Sequence, residues 1–392
     1  MTMSAKRFPE ADLPPHIQEI ADGMNLDPDA VPEYEISPVP ADAAARQQVM
    51  DHFTGSVYGE IPPKGKIGFR IRSAGSAFNG LAVRREIDII CSNGNECREL
   101  HLLLYIPAHV KGQVPCFFGL NFVGNTDTTA DAEVTFHPFV RYQAEFAWHA
   151  DRRVDENDRG AHAYRWEFEK VLRAGFATAT MCCFDIYPDH PDGFEKSVMP
   201  LFYSAELWNS PQRPSGAVSA WAWGISRAID CLLTQPEISP DKIIVHGLSR
   251  LGKTALWAGA NDPRIAAAAA ICSGTLGAKL TRRYFGESLD WLLFWRQYWF
   301  VPAINEFRRR DGEVPVDQHA LMSCIAPRGL YVASAGDDDY ADPEGERLGA
   351  LHAAAAWQDK SCVRYFIREG GHDFTPENWD DLLQYAAAFV PA

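Results

Sequence analysis

From residue 87 onward, short apolar runs alternate along the chain with longer stretches in which apolar positions recur every three or four residues. The short runs at 87–91, 102–106, 116–122, 177–184, 243–246, 268–272, 330–335 and 363–367 predict strands. Most of the later ones are continuously apolar, as expected where both faces of a sheet are covered. The stretches 164–174, 220–235, 253–259, 345–357 and 379–389 predict helices. Such alternation implies βαβ units and a largely parallel sheet. Residues 1–45, rich in Pro, Asp and Ala with weak periodicity, are expected to form an extended arm. Residues 46–392 are expected to form one α/β domain.

The segment "WLLFWRQYWF" at 291–300 puts Trp291, Trp295, Tyr298 and Trp299 near one helix face. It reads as a core helix, as an aromatic wall beside a sugar-sized cleft, or as both.

Composition narrows the function. The 392 residues suffice for one large core. A net charge of −15 without a Lys/Arg run argues against nucleic acid and anionic membranes as partners. No apolar run reaches the roughly 18 residues of a membrane span. The nine cysteines are scattered and lack zinc spacing, so no metal is expected. No complete disulfide framework is indicated, although Cys91 and Cys97 could pair across a short turn. The opening "MTMSAKRFPEADLPP" lacks the apolar core of a secretory leader. A cytoplasmic location is expected for the chain as written, and an exported one if the natural chain starts further upstream.

The candidate chemistry centres on "VHGLSRLGKT" at 245–254. Its Gly247, Gly252, Lys253 and Thr254 fit the spacing of a phosphate-cradling P-loop. Its Ser249, following Ile243-Ile244-Val245, fits a nucleophile elbow. A P-loop follows the first strand of its domain and favours small residues where Ser249, Arg250 and Leu251 stand, which disfavours that reading. The elbow requires an acid and then a histidine, each just past a later strand. "LYVASAGDDDYADP" supplies Asp337, Asp338 and Asp339, and "FIREGGHDF" supplies His372. Ser249 would attack while His372 took its proton, and an Asp would hold the imidazole tautomer. The Arg250 N–H would meet the developing oxyanion. No cofactor is needed for this chemistry. Gly252 stands three residues after Ser249, one more than in the common elbow.

"GLSRLGK" at 247–253 resembles the G-x-S-R-x-G-K motif of glucuronoyl esterases, carbohydrate esterases of the α/β-hydrolase fold. The resemblance continues in order through "VYGEIPP" (57–63), "FGLNFVGN" (118–125), "RGAHAYRWEFEKVLRAGFATAT" (159–180), "WAWGISRAIDCL" (221–232), "RRYFGES" (282–288), "APRGLYVASAGDDDYADPEG" (326–345) and "GGHDF" (370–374). It implies a mostly parallel central sheet in a three-layer α/β/α sandwich. It also implies cleavage of esters between 4-O-methyl-glucuronoyl groups on xylan and a lignin alcohol. The expected partner is therefore glucuronoxylan or another uronic-acid-bearing carbohydrate ester, bound by a monomer. By the same resemblance Ser249 is the nucleophile, His372 the base, and Arg250 the oxyanion-stabilising arginine. Lys253 and Glu287 would contact the sugar.

There are two departures. Many members carry a catalytic Glu just before "SG", where this chain has Cys272, so the acid must come from the later strand. The D-x-aromatic-A-D-P pattern selects Asp338, with Tyr340 in the place of a sugar-stacking Trp. Asp342 is expected to be a turn or structural acid. An esterase for another acyl group, such as acetylated sugar, is the alternative within enzymes. A carbohydrate-binding protein with a degraded triad is the alternative outside them.

Overall fold

The computed structural model describes residues 15–137, 140–141, 152–153 and 156–389. Nine strands form one sheet: β1 (Lys66–Ala77), β2 (Ala82–Ser92), β3 (Cys97–Pro107), β4 (Val114–Asn121), β5 (Ala177–Cys182), β6 (Ile238–Leu248), β7 (Ile265–Ile271), β8 (Gly329–Ala335) and β9 (Val363–Arg368). Their order is β1-β2-β3-β5-β4-β6-β7-β8-β9. The pairings from β5 through β9 are parallel, and β1, β2 and β3 pair antiparallel at one edge. This is the largely parallel sheet expected from the alternation and the α/β-hydrolase architecture that the resemblance implies.

Among the described residues, the α-helices of at least six residues are α1 (Pro15–Asp22), α2 (Ala43–Ser56), α3 (Phe168–Arg173), α4 (Ala217–Leu232), α5 (Arg250–Asn261), α6 (Leu289–Arg296), α7 (Gln318–Ser323), α8 (Pro343–Ala353) and α9 (Pro376–Phe389). Alternation along the strands feeds two apolar layers. Cys116 and Phe118 of β4 pack with α4 and α5, whereas Phe117 points the other way toward Trp379 and Leu382 of α9. The all-alanine stretch of β7 lets α5 lie close. A Cβ on Gly259 would come within 2.7 Å of Ala268 Cβ. No helix of the described residues is long and apolar enough to cross a membrane.

Four expectations change. β1 has no counterpart among the predicted strands, because it is an antiparallel edge strand with mostly exposed or half-buried side chains. The arm is not wholly extended: residues 1–14 lie outside the described residues, α1 covers 15–22, and α2 begins at Ala43. Cys91 and Cys97 are both free. The register sets Ser92 opposite Cys97, so Cys91 is buried on the other face of the ribbon. Finally, the aromatic segment does not share one helix face. α6 ends at Arg296, and Tyr298 and Trp299 sit in the 3₁₀ turn that follows.

Candidate active site

Strands β6 to β9 are parallel neighbours, so their C-terminal ends open on one edge of the sheet. The residues singled out in the sequence lie just past those ends. Ser249 follows β6 and has φ 59° and ψ −127°, a strained non-glycine conformation. Its N–H donates to Ile271 O at 2.8 Å and its carbonyl accepts from Gly252 N–H at 2.8 Å, which fixes the turn from both sides. The glycines make this turn possible. A Cβ on Gly247 would lie 2.2 Å from Leu251 O, and one on Gly252 would lie 3.0 Å from both Gly247 O and Ser273 Cβ. The displaced glycine thus belongs to the seam where α5 meets the end of β7. This is an elbow and not a phosphate cradle, since Lys253 is 97% buried and its Nζ donates inward to Ser273 O.

His372 lies in the loop after β9. Its Nδ1 and Asp338 Oδ2 are 2.6 Å apart, the hydrogen bond of an Nδ1–H tautomer. Asp338 is 5% exposed, whereas Asp337 and Asp339 face solvent, so the middle acid of the run is the one turned inward. Cys272, at the end of β7, is also buried, and its Sγ lies within 4.8 Å of the facing donor atoms of Asp338 and His372. Burial pushes its thiol far up, so it is a neutral neighbour of the His–Asp pair. His246, just before the elbow, is packed among Phe117, Phe374 and Trp379. Burial pushes it down to about 3, which leaves it a neutral core imidazole.

Arg250 is held on three sides. Its Nη1 donates to Asp189 Oδ2 at 2.5 Å, and its guanidinium sits 5.2 Å from the ring centroids of Phe122 and Trp299. Asp189 also accepts from Tyr298 Oη at 2.7 Å and Trp299 Nε1 at 2.6 Å. Burial acts to raise this carboxyl, but Arg250, Arg296 and those two donors hold it below the usual range. The aromatic segment is therefore core and site wall together.

A second cluster flanks the elbow. Lys253 Nζ is 3.9 Å from Glu287 Oε2. Burial lowers this ammonium to about 8, against the opposing pull of Glu287 and Glu346. Tyr340 hydrogen-bonds to Glu287 through its hydroxyl, and burial raises that phenol well above its ordinary range. The same residue leaves 36% of its surface exposed beside the cluster. Asp342 takes the structural part expected of it. It caps α8 by accepting from Gly345 N–H at 3.0 Å and pairs with Arg283 at 2.5 Å.

Several residues that shape the site were not found in the sequence. Arg368, last in β9, donates to Glu369 O at 2.7 Å, Gly371 O at 2.8 Å, Asp373 O at 2.7 Å and Asn378 Oδ1 at 2.9 Å, bracing the His372 loop. Asp373 is clamped by Arg165 Nε at 2.6 Å and Tyr164 Oη at 2.9 Å. Glu346 is fully buried and accepts from Ser273 N–H, Ser273 Oγ, Gly274 N–H and Ser334 Oγ, tying β7 to β8. Burial raises it to about 7. On the arm, Asn25 O accepts from Gly286 N–H at 2.7 Å, and Asn25 Nδ2 donates to Tyr284 O at 2.9 Å. The loop that ends in Glu287 is thus strapped from outside the catalytic sheet. Spatial proximity reveals the partners of Asp373, Glu346 and Asn25, which mostly lie far off along the chain, whereas those of Arg368 lie within ten residues but carry no motif.

A family model described as glucuronyl esterase of fungi matches residues 184–359. The chain is 38% identical over 159 residues to a 4-O-methyl-glucuronoyl methylesterase of Podospora anserina, a match covering 35% of this chain and 33% of that one. It superposes on a glucuronoyl esterase from Solibacter usitatus with a TM-score of 0.85 at 32% identity, covering 92% of this chain and all of that one. It is 34% identical over 362 residues to carbohydrate esterase MZ0003 of an unknown prokaryotic organism, covering 87% of this chain and 83% of that protein. With identity above 30% over most of both chains, the chain belongs to the glucuronoyl esterase family of carbohydrate esterases.

Proposed function

We propose that this chain hydrolyses esters of 4-O-methyl-glucuronic acid on xylan, with Ser249, His372 and Asp338 as its triad and residues 46–392 as one catalytic domain. The carrying observation is the 2.6 Å His372–Asp338 bond beside the strained Ser249 turn. Ser249 Oγ attacks the uronate carbonyl as His372 takes its proton. The imidazolium stays paired with Asp338. The Arg250 N–H at the start of α5 and the clamped Arg250 guanidinium face the charge that builds on the carbonyl oxygen. His372 protonates the leaving alcohol, and water then releases the glucuronoyl group from Ser249 by the reverse sequence. Lys253, Glu287 and Tyr340 hold the sugar, whose several hydroxyls call for several fixed polar partners. Hydrolysis of benzyl glucuronate in ¹⁸O-water tests the reaction. The label is expected in the uronate carboxyl; label in the benzyl alcohol would refute acyl transfer.

Two further results are expected. Lys253 is cationic only below about 8. As pH rises through that value its charged contact is lost, so KM for a glucuronate ester is expected to climb. KM for 4-nitrophenyl acetate, which has no sugar hydroxyls, should stay level. Parallel KM profiles would remove Lys253 from the sugar site. The second result concerns the arm. Asn25→Ala deletes one bond to the Glu287 loop, worth about 1 kcal/mol or about fivefold in KM for the glucuronate ester. kcat should be little changed, and equal losses in kcat for both substrates would mean a general structural role instead.

A further inference from the structure

Cys272 is the one residue at the head of the His–Asp pair for which the proposed reaction has no use. Its setting is specific. The residue has φ 46°, a left-handed conformation that a non-glycine side chain rarely adopts, and its N–H is held by Ala333 O at 2.8 Å. That turn keeps the thiol beside the pair. The thiol donates a weak hydrogen bond to Asp373 O at 3.8 Å. The three donor atoms, one sulfur, one imidazole nitrogen and one carboxylate oxygen, all lie within 4.8 Å of one another. Such a soft, mixed set suits zinc, whereas calcium and magnesium take oxygen. With Zn–S near 2.3 Å and Zn–N and Zn–O near 2.0–2.2 Å, tetrahedral ligands stand roughly 3.3–3.8 Å apart. Binding would therefore spread the His372–Asp338 pair from 2.6 Å by about 1 Å and bring the thiol, now within 4.8 Å, to that spacing. The side chain of His372 is 41% exposed, which gives a cation a path inward and leaves the fourth position to water.

We infer that Cys272, Asp338 and His372 form a binding site for a thiophilic divalent cation of the zinc type, and that its occupation switches the esterase off. The step balances simply. The Cys272 thiol proton goes to solvent as sulfur binds the metal. The imidazole proton moves from Nδ1 to Nε2 as Nδ1 binds. Asp338 exchanges its hydrogen bond for a metal bond. No electrons are transferred, and a chelator reverses the step. With Nε2 protonated, His372 can no longer accept the Ser249 proton, and turnover stops. Because a proton is released, binding weakens as pH falls. A Glu in place of Cys272 would offer no sulfur. The inference concerns the His–Asp–Cys cluster and holds whichever ester the enzyme prefers.

The test uses the whole chain and zinc itself. Zinc binding is measured by equilibrium dialysis on Ser249→Ala protein, which needs no activity. Inhibition is measured on unmodified protein with 4-nitrophenyl acetate. The expected result is one zinc per chain, loss of turnover over the same zinc range, full recovery with EDTA, and no effect of magnesium. Cys272→Ala should keep turnover within a few fold and require at least about tenfold more zinc, the usual scale for losing a ligand-shell contact. Cys272→Ser, closer in shape, should behave alike and serves if the alanine variant folds poorly. Equal zinc sensitivity in wild type and either folded variant would overturn the site. So would the absence of zinc binding in the dialysis. Failure of glucuronate turnover with zinc binding intact would count against the proposed substrate alone.

Discussion

Ser249→Ala is expected to lower kcat on a glucuronate ester by roughly 10³–10⁶-fold while leaving the fold and sugar binding intact. The residue sits with φ 59° at the tip of the β6–α5 turn, and that strain is kept by contacts on every side. Cys272 beside the His–Asp pair is no substitute, because its thiol is buried and held protonated, and the Ser273 hydroxyl is buried and bonded to Glu346. The loss should therefore fall almost entirely on kcat. Thermal unfolding should be nearly unchanged, because the alanine removes one half-buried hydroxyl and keeps the backbone bonds. Retention of a tenth of the wild-type rate would contradict the assignment of the nucleophile.

Asp338→Asn is expected to cost about 10⁴-fold in kcat, the scale seen in serine proteases when an amide imposes the wrong histidine tautomer. Here the reason is visible in one contact. An amide NH₂ facing His372 Nδ1 at the present 2.6 Å would turn that nitrogen into an acceptor and leave Nε2 protonated. Asp337→Asn and Asp339→Asn should stay close to wild type, since both acids face solvent. Cys272→Glu combined with Asp338→Asn should recover part of the activity, because position 272 lies beside the imidazole from the neighbouring strand. A near-normal Asp338→Asn enzyme with an inactive neighbour variant would move the acid by one residue. Survival of all three would place it elsewhere.

Most of the parallel half of the sheet was legible because its central strands are apolar on both faces and stand between helical periods. The edge was not, because β1 is an exposed ribbon whose polar residues mimic a loop. In the site, Ser249, His372 and the acidic run 337–339 follow from chain order, since the elbow fold fixes where acid and base must follow, whereas the choice of Asp338 within that run came from resemblance. Lys253, Glu287 and Tyr340 came from resemblance, and the structure brings them into one cluster. Arg368, Asp373, Glu346 and Asn25 escaped detection for a common reason. Each acts by bracing a loop, and an isolated Arg, Asp, Glu or Asn in a sequence looks the same whether it braces a loop or faces water. The arm shows this best. Its polarity suggested a loose segment, yet Asn25 fastens the very loop that carries Glu287.

The comparison of kcat/KM for benzyl or methyl glucuronate with that for 4-nitrophenyl acetate tests the central claim most directly. The acetate has the more reactive leaving group, so an unspecialised serine esterase should favour it. The Lys253–Glu287–Tyr340 cluster should reverse that order, giving the glucuronate ester the higher kcat/KM, with the advantage lost in Lys253→Ala. A kcat/KM that favours the acetate, or a glucuronate rate untouched by Lys253→Ala, would contradict a glucuronoyl esterase built on these residues.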